Sequence, residues 1–423
     1  MEFFDFLNYS VTPYHAVAFL RRELERAGFV GVNPAQPASL VLGGAYFVER
    51  GGALVAFRLP QKFSAESRFR LALAHTDFPA LKVTPAPDKV CDGVAKLHTE
   101  VYGSPLFTSW LDRDLGFAGM LAYEKKGNVL AKLIRGDKLV RIPQLAVHLN
   151  RGVNQEGLKV NPQTDFDALW CGASESVSAQ ATKFVDALRS ELAADENLLD
   201  FDMQLFDAQP ASKGGFNDEW IYSGRLDNLS SCHAVAEGLL QADFSLMNDV
   251  CVAAFFNNEE VGSNSREGAA GEILHSVLDY LWSELQNEKV NLSAILAESF
   301  ALSIDMAHAV HPNHPEKHEP NHAPILGGGV VLKANAQKKY ASDLLSSAKL
   351  RMLCQKAGIP LQVFVSRNDM PCGSTVGPVI SASLGIPTVD IGEPMLSMHS
   401  IREMTAIKDH QDMISLVKTL FAV

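Results

Sequence analysis

Apolar residues recur at two different spacings along this 423-residue chain, and the change of spacing divides it into three stretches. Near the start, Thr12 can cap a helix, Pro13 suits its first turn, and Gly28 stops it. Short apolar runs follow at 53–57 and 69–74, the second ending abruptly in His75-Thr76-Asp77. From about 89 to 217 the texture changes. Runs at 101–102, 129–134 and 139–142 lie between turn signals such as Lys126-Gly127-Asn128, a pattern that predicts a β-rich unit with one helical stretch near 176–193. Beyond Asn217, strand-sized runs at 250–256, 302–305, 330–333, 361–365 and 388–391 alternate with helical patterns at 229–241, 268–284, 340–357 and 405–421. That alternation predicts an α/β unit, a sheet with helices on both faces. The N-terminal stretch fits the same unit. The expected division is therefore 1–90 with 216–423 as one domain, and 91–215 as a β-rich insertion.

Composition narrows the function. Lys plus Arg is 37 and Asp plus Glu is 49, a net charge of −12, which argues against nucleic acid and anionic membranes as partners. No apolar run approaches the roughly 18 residues of a membrane helix. The chain opens Met-Glu-Phe-Phe-Asp, without the positive charge of a signal peptide. The cysteines at 91, 171, 232, 251, 354 and 372 form no CxxC pair, which suits free thiols in a reducing cytosol. The expectation is a soluble, acidic, cytoplasmic protein. Histidines at 308, 311, 314, 318 and 322 are spaced as on one helix face, but Pro312, Pro315 and Pro320 forbid that helix and predict a loop.

The candidate chemistry gathers where strands end, the edge at which α/β sheets build their sites. In His75-Thr76-Asp77 the first and third residues of an extended run point the same way, so Asp77 can hold the imidazole of His75. Asp227 precedes a helix, where an acid can equally serve the helix dipole. Asn257-Asn258-Glu259-Glu260 follows the run at 250–256. Of two such glutamates, one can ligate a metal while the other takes a proton from water. Asp305 ends a further strand, and His399 lies in Ser397-Met398-His399-Ser400. Each alone has an ordinary structural use. Together His75, Asp227, Glu260, Asp305 and His399 make a mixed nitrogen and oxygen set that suits zinc or a similar divalent ion, with Glu259 left as base. Pro371-Cys372-Gly373-Ser374 lacks the nucleophile elbow of a serine hydrolase, and Gly327-Gly328-Gly329 with Lys333 lacks the spacing of a phosphate loop.

Several longer runs carry a resemblance to the aspartyl aminopeptidase family of dinuclear zinc peptidases. They are Ala74-His75-Thr76-Asp77, Arg225-Leu226-Asp227-Asn228-Leu229, Asn258-Glu259-Glu260-Val261-Gly262-Ser263 and Asp305-Met306-Ala307-His308-Ala309-Val310-His311-Pro312-Asn313, then Arg367-Asn368-Asp369, Pro371-Cys372-Gly373-Ser374-Thr375 and Met398-His399-Ser400-Ile401-Arg402-Glu403-Met404. They fall in family order over essentially the whole chain. The resemblance implies a mixed-sheet peptidase domain interrupted by a dimerisation domain. It implies two divalent ions, zinc in both places, with His75 and Asp305 on one, Glu260 and His399 on the other, and Asp227 bridging. It further implies Glu259 as general base, Asp77 as orienter of His75, and His148 presented to a neighbouring subunit's site, direct metal ligation being an alternative for that histidine. Lys333 matches the family lysine near the substrate side chain, although Gly329-Val330 and Gln337-Lys338-Lys339-Tyr340 depart from the family pattern around it. The implied function is a hydrolase, a metallo-aminopeptidase that removes single N-terminal residues, preferably Asp or Glu, from peptides by a metal-activated water. It would assemble as dimers within a larger closed homo-oligomer, plausibly a dodecamer. The rival readings are a related dinuclear acylase or carboxypeptidase, and a catalytically silent assembly or cargo protein on the same fold.

Overall fold

The structure, a computed structural model, describes residues 1–36, 40–64, 66–172, 183–245, 247–285 and 291–422. Its contacts divide the chain into two compact units, Met1–Phe78, Ala211–Met398 and Glu403–Val423 in one, Pro79–Pro210 and His399–Arg402 in the other. The second unit thus begins about twelve residues before the expected boundary at 90. The reason is local. Ala80–Cys91 is one continuous strand that pairs with Val94–Tyr102 on either side of a bulge between Val83 and Asp88, so no break in pairing occurs near 90. At the other boundary, Ser212–Gly214 already pairs with Trp220–Ser223 of the first unit.

The first unit is built on a mixed sheet that has nine strands among the described residues. Phe69–His75 lies between Val250–Phe256 and Phe300–Ile304, all three parallel. Their alternation explains why both faces are covered. In Val250–Phe256, Cys251, Ala253 and Phe255 join one apolar core, whereas Val250, Val252, Ala254 and Phe256 join the other. A strand buried on both faces has to be apolar throughout, because its side chains point alternately to each. The helices Pro13–Arg26, Leu226–Gln241, Leu344–Ala357 and Ile407–Ala422 contribute to the first core; Ile273–Leu285, Leu292–Glu298 and Val376–Leu384 contribute to the second. Thr12 caps the first of these, its hydroxyl accepting from the His15 amide, and Pro13 opens it as expected. Val376–Leu384 and the short opening helix Phe3–Tyr9 had no clear sequence signal. A five-stranded sheet adds Glu403–Ala406 and Pro394–Leu396 to the same unit.

Among the described residues the second unit holds a six-stranded sheet in which every paired neighbour is antiparallel, ordered Asn128–Arg135, Leu115–Lys125, Asn197–Asp207, Ala80–Cys91, Val94–Tyr102 and Ala168–Gly172. Phe117, Phe166, Phe184 and Leu205 fill its core. The helix expected over 176–193 is present as Phe184–Ser190; its first part, through 182, lies outside the described residues. The run at 139–142 forms only isolated bridges, at Val140 and Arg141. All six cysteines are free thiols, and no described helix is long and apolar enough to cross a membrane.

Candidate metal centre

The three central parallel strands bring their carboxyl ends to one edge. Phe256 pairs with His75, and Ser303 with Leu73, so the chain leaves all three strands at neighbouring points. His75 is the last residue of its strand and fully buried. Its Nε2 lies 3.5 Å from Asp227 Oδ1, 3.7 Å from Asp305 Oδ1 and 3.9 Å from Glu259 Oε2. Its Nδ1 turns the other way, 3.0 Å from the carbonyl oxygen of Asp77 and 3.4 Å from its Oδ1. One ring nitrogen is therefore fixed by a partner while the other faces acids, the usual arrangement of a ligating histidine.

Asp77 has a second task that sequence reasoning did not assign. Its Oδ1 accepts the Glu259 amide at 3.0 Å and its Oδ2 the Glu260 amide at 3.1 Å. The carboxylate that steadies the imidazole also fixes the glutamate turn, where Asn258 takes a left-handed conformation with φ of 63°. Asp227 lies at the opening of the helix Leu226–Gln241, after Arg225 with φ of 65° and before a cis peptide bond to Asn228. Its amide donates to Glu403 Oε2 at 3.1 Å, and the Asn228 side-chain amide donates to the Ile304 carbonyl at 2.9 Å, tying this turn to the strand that precedes Asp305. Glu403 had a signal, the run around His399 that contains it, but no role was read for it. Gly392 is needed for closeness: a Cβ there would meet the Asp305 carbonyl oxygen at 2.0 Å.

The electrostatics follow from crowding acids in a dry place. Burial pushes the Glu259 carboxyl up, and of the charges around it Asp305, Asp77 and Asp227 push the same way while His75 opposes them, leaving it at about 7. For Asp305, burial acts upward but is outweighed by the Lys333 ammonium, 3.4 Å from Oδ2, and by His75, so its pKa falls well below the usual carboxylate range. Burial acts to lower the pKa of His75, yet hydrogen bonds to Asp305 and Asp77 and the charge of Glu259 hold it well above its ordinary value.

Single ligand atoms of His75, Asp227 and Asp305 lie within 4.8 Å of one another, as do those of His75, Glu259 and Glu260. One imidazole and four carboxylates against the buried Lys333 leave an excess of negative charge that a divalent cation would neutralise, and the mixture of N and O donors suits zinc. These residues fit a metal. His399 belongs by its contacts to the second unit, where its Nδ1 lies 3.0 Å from the Ser104 carbonyl oxygen. His148 is exposed in a turn of that unit rather than in a strand. Lys333 is buried, beside Asp305, with its Nζ 5.5 Å from the centre of the Tyr340 ring.

A parallel strand edge where a histidine and several carboxylates converge is the setting of a metallohydrolase. Residues 6–421 match the family model described as Aminopeptidase I zinc metalloprotease (M18). A probable M18 family aminopeptidase 2 of Pseudomonas aeruginosa (strain UCBPP-PA14) is 39% identical over 99% of this chain and 96% of its own. A probable aspartyl aminopeptidase of Ricinus communis is 36% identical over 96% of this chain and 92% of its own. Among solved structures, the one described as the S. cerevesiae mApe1 dodecamer has a TM-score of 0.86 at 28% identity, covering 99% of this chain and 95% of that one. Ape4 in its complex with Nbr1 has a TM-score of 0.92 at 35% identity, covering 99% and 84%. The chain belongs to the M18 peptidase family and is a zinc-dependent aminopeptidase, a hydrolase of peptide bonds.

Proposed function

We propose that this aminopeptidase removes single residues, Asp and Glu in preference to others, from peptide N-termini with two zinc ions in each subunit. The observation that carries the reading is the convergence on His75 of two sets of acids, Asp227 with Asp305 and Glu259 with Glu260, the second fixed by Asp77. His75 and Asp305 would hold one ion, Glu260 and His399 the other, with Asp227 shared. Such ions, when bound, supply Lewis acidity, polarising the peptide carbonyl and acidifying water. The chain's own part is to move protons and exclude solvent. Glu259 takes a proton from the attacking water and gives it to the leaving amine, its carboxylate lying 3.9 Å from the His75 ring beside the proposed ligands. Asp77 keeps the His75 ring in one orientation. A panel of matched peptides with free and acetylated N-termini tests the reading: only the free amines should be cleaved, one residue at a time, and cleavage of acetylated peptides would point to an acylase or carboxypeptidase instead.

The acidic preference rests on two supports, the name of the Ricinus relative and the buried ammonium of Lys333 beside Asp305. A carboxylate entering a desolvated pocket needs a cation. Lys333→Leu should therefore lower kcat/KM for N-terminal Asp or Glu about ten- to a hundredfold more than for Ala or Leu, the size of one charge-assisted contact. Because Lys333 also pairs with Asp305, an equal loss on every substrate would make it a support for Asp305 and reject it as the selector.

Assembly is proposed from the dodecamer of the S. cerevesiae relative, with the second unit forming dimers and His148 acting on a neighbouring subunit's site. Leu145, Val147 and Leu149 around His148 are 68%, 50% and 76% exposed, apolar side chains that a neighbour would cover. Mixed oligomers of His148→Ala and Glu259→Gln subunits should regain activity that neither has alone; silence in demonstrably mixed oligomers would end the trans role. The acidic composition and the cysteines without CxxC spacing support the cytoplasm as its place of work.

A further inference from the structure

His75 and His399, the two imidazoles proposed as zinc ligands, are fixed by the same device but from different places. Each presents Nδ1 to a backbone carbonyl oxygen at 3.0 Å. For His75 that carbonyl belongs to Asp77, two residues on; for His399 it belongs to Ser104, 295 residues earlier. A carbonyl only accepts, so Nδ1 carries the hydrogen, and a neutral ring then keeps its lone pair on Nε2, the form that can ligate zinc. The backbone of His399 has φ of 66°, the left-handed region that a residue with a side chain seldom adopts unless its surroundings impose it. Those surroundings are the segment 104–109 of the second unit, to which His399–Arg402 belongs by its contacts. The Leu106 amide donates to the His399 carbonyl oxygen at 2.8 Å. The Ile401 amide donates to Ser109 Oγ at 3.0 Å, and that hydroxyl points its own hydrogen at the Leu106 carbonyl oxygen, 2.6 Å away. The Ser109 amide donates to the same carbonyl at 3.0 Å, within the tight turn Phe107–Trp110. Ile401 is buried in the core of the second unit, and the Arg402 guanidinium donates to the Gln209 carbonyl at 3.1 Å. His399, Ile401 and Arg402 are thus each anchored by this unit.

We infer that Ser109 is a positioning residue for His399, its hydroxyl locking the segment 104–109 to the loop so that the Ser104 carbonyl sets the tautomer and direction of the imidazole. The inference rests on the proposed two-zinc site, and it gives the second unit an effect on zinc affinity within its own subunit. Ser109 acts through His399 and through no other proposed ligand. What the strand of His75 supplies locally, by the carbonyl of Asp77, the second unit supplies to His399 from a distant part of the chain.

The carbonyl of Ser104 cannot be deleted by substitution, so the test acts on Ser109. Zinc is withdrawn from the purified protein with increasing chromogenic chelator, and zinc per subunit is followed, with circular dichroism as the check on folding. Wild type should release two ions, and His399→Ala should lack the one that His399 ligates. Ser109→Ala should release that same ion about tenfold more readily, the low end for a group that orients a ligating histidine, and leave the other ion unmoved. Ser109→Thr keeps the hydroxyl and should restore the affinity. Adding Ser109→Ala to His399→Ala should change nothing further, because the effect runs through that imidazole. A serine that only stabilised its own turn would weaken both ions alike, or shift the double variant as well, and either result overturns the inference. Arg402→Met releases the far end of the loop; it should weaken the same ion and serves if Ser109→Ala misfolds. Both ions held as in wild type by the Ser109 and Arg402 variants, with one lost in His399→Ala, overturns the inference and leaves the two-zinc reading standing. A wild type that binds one ion, or a His399→Ala that keeps two, overturns that reading and this inference with it.

Discussion

Two regions of the first unit carry histidine beside acid, and they use it in opposite ways. At the strand edge, the free nitrogen of His75 faces Asp227, Asp305 and Glu259, and its pKa stands well above the ordinary value despite complete burial. In the loop 308–322, His318 Nε2 accepts the backbone amide of His311 at 3.1 Å, and His311 Nδ1 accepts that of Asn313 at 3.2 Å. A ring nitrogen that accepts an amide must be unprotonated, so the bond from the His311 amide favours the neutral imidazole of His318. Burial and the nearby His311 accordingly lower the pKa of His318, against the pull of Glu316. The strand edge is built to receive positive charge; the setting of His318 in the loop is built to exclude it. What an imidazole does is decided by whether its lone pair meets a carboxylate or an N–H, and residue type alone does not distinguish the two.

The largest expected effect falls on the strand edge. Glu259→Gln is isosteric and replaces the proposed base, so zinc content should stay near wild type while turnover drops by roughly 10²–10⁴. Turnover close to wild type would remove Glu259 from that role. Asp77→Asn comes next. The amide can still accept through one oxygen, but it cannot serve both the Glu259 and Glu260 amides and the charge of His75 together. Affinity for zinc, measured by competition with a chromogenic chelator, should weaken about ten- to a hundredfold, with helical content intact. Unchanged affinity would show that the turn holds itself. Neither substitution should alter the pH response of the loop, which keeps the two regions separable.

Much of this contrast was legible in the chain, and the part that was not has a physical cause. Strands buried on both faces read as unbroken apolar runs, and Val250–Phe256 falls where the pattern puts it; Leu361–Val365, half-buried at the edge of the sheet, also falls where expected. The acids at their ends were legible because a charged residue directly after such a run has little reason to be there except chemistry or capping. Prolines in the histidine tract correctly excluded a helix, but its internal bonds depend on which ring nitrogen meets which amide, and no spacing encodes that. The double use of Asp77 was hidden for a similar reason, since its partners are backbone amides 182 and 183 residues away. The contact boundary of the second unit falls earlier than the change of texture near 89 because Ala80–Cys91 continues as one strand through it.

The smallest effect should come from the loop, and its sign follows from the lowered pKa of His318. In the unfolded chain this imidazole titrates near its ordinary 6.5, whereas in the folded loop it does so lower, so below 6.5 the opened form binds more protons than the closed one. The contribution of the loop to stability is thus complete above about 6.5 and is lost as the pH falls toward the folded value. The loop should open locally, not globally, because His318 is half-buried and its loss touches few apolar contacts. Hydrogen exchange at the His311 amide reports this directly, since that N–H is the one His318 accepts. Its protection factor should fall several-fold between pH 7 and 5.5, while amides of the strand Phe69–His75 keep theirs. His318→Gln retains an acceptor but does not titrate, so its protection should be lower at pH 7 and flat with acidification. Equal slopes in wild type and variant would mean that the imidazole of His318 is not the switch, and that its neutral state is a by-product of the fold of the loop.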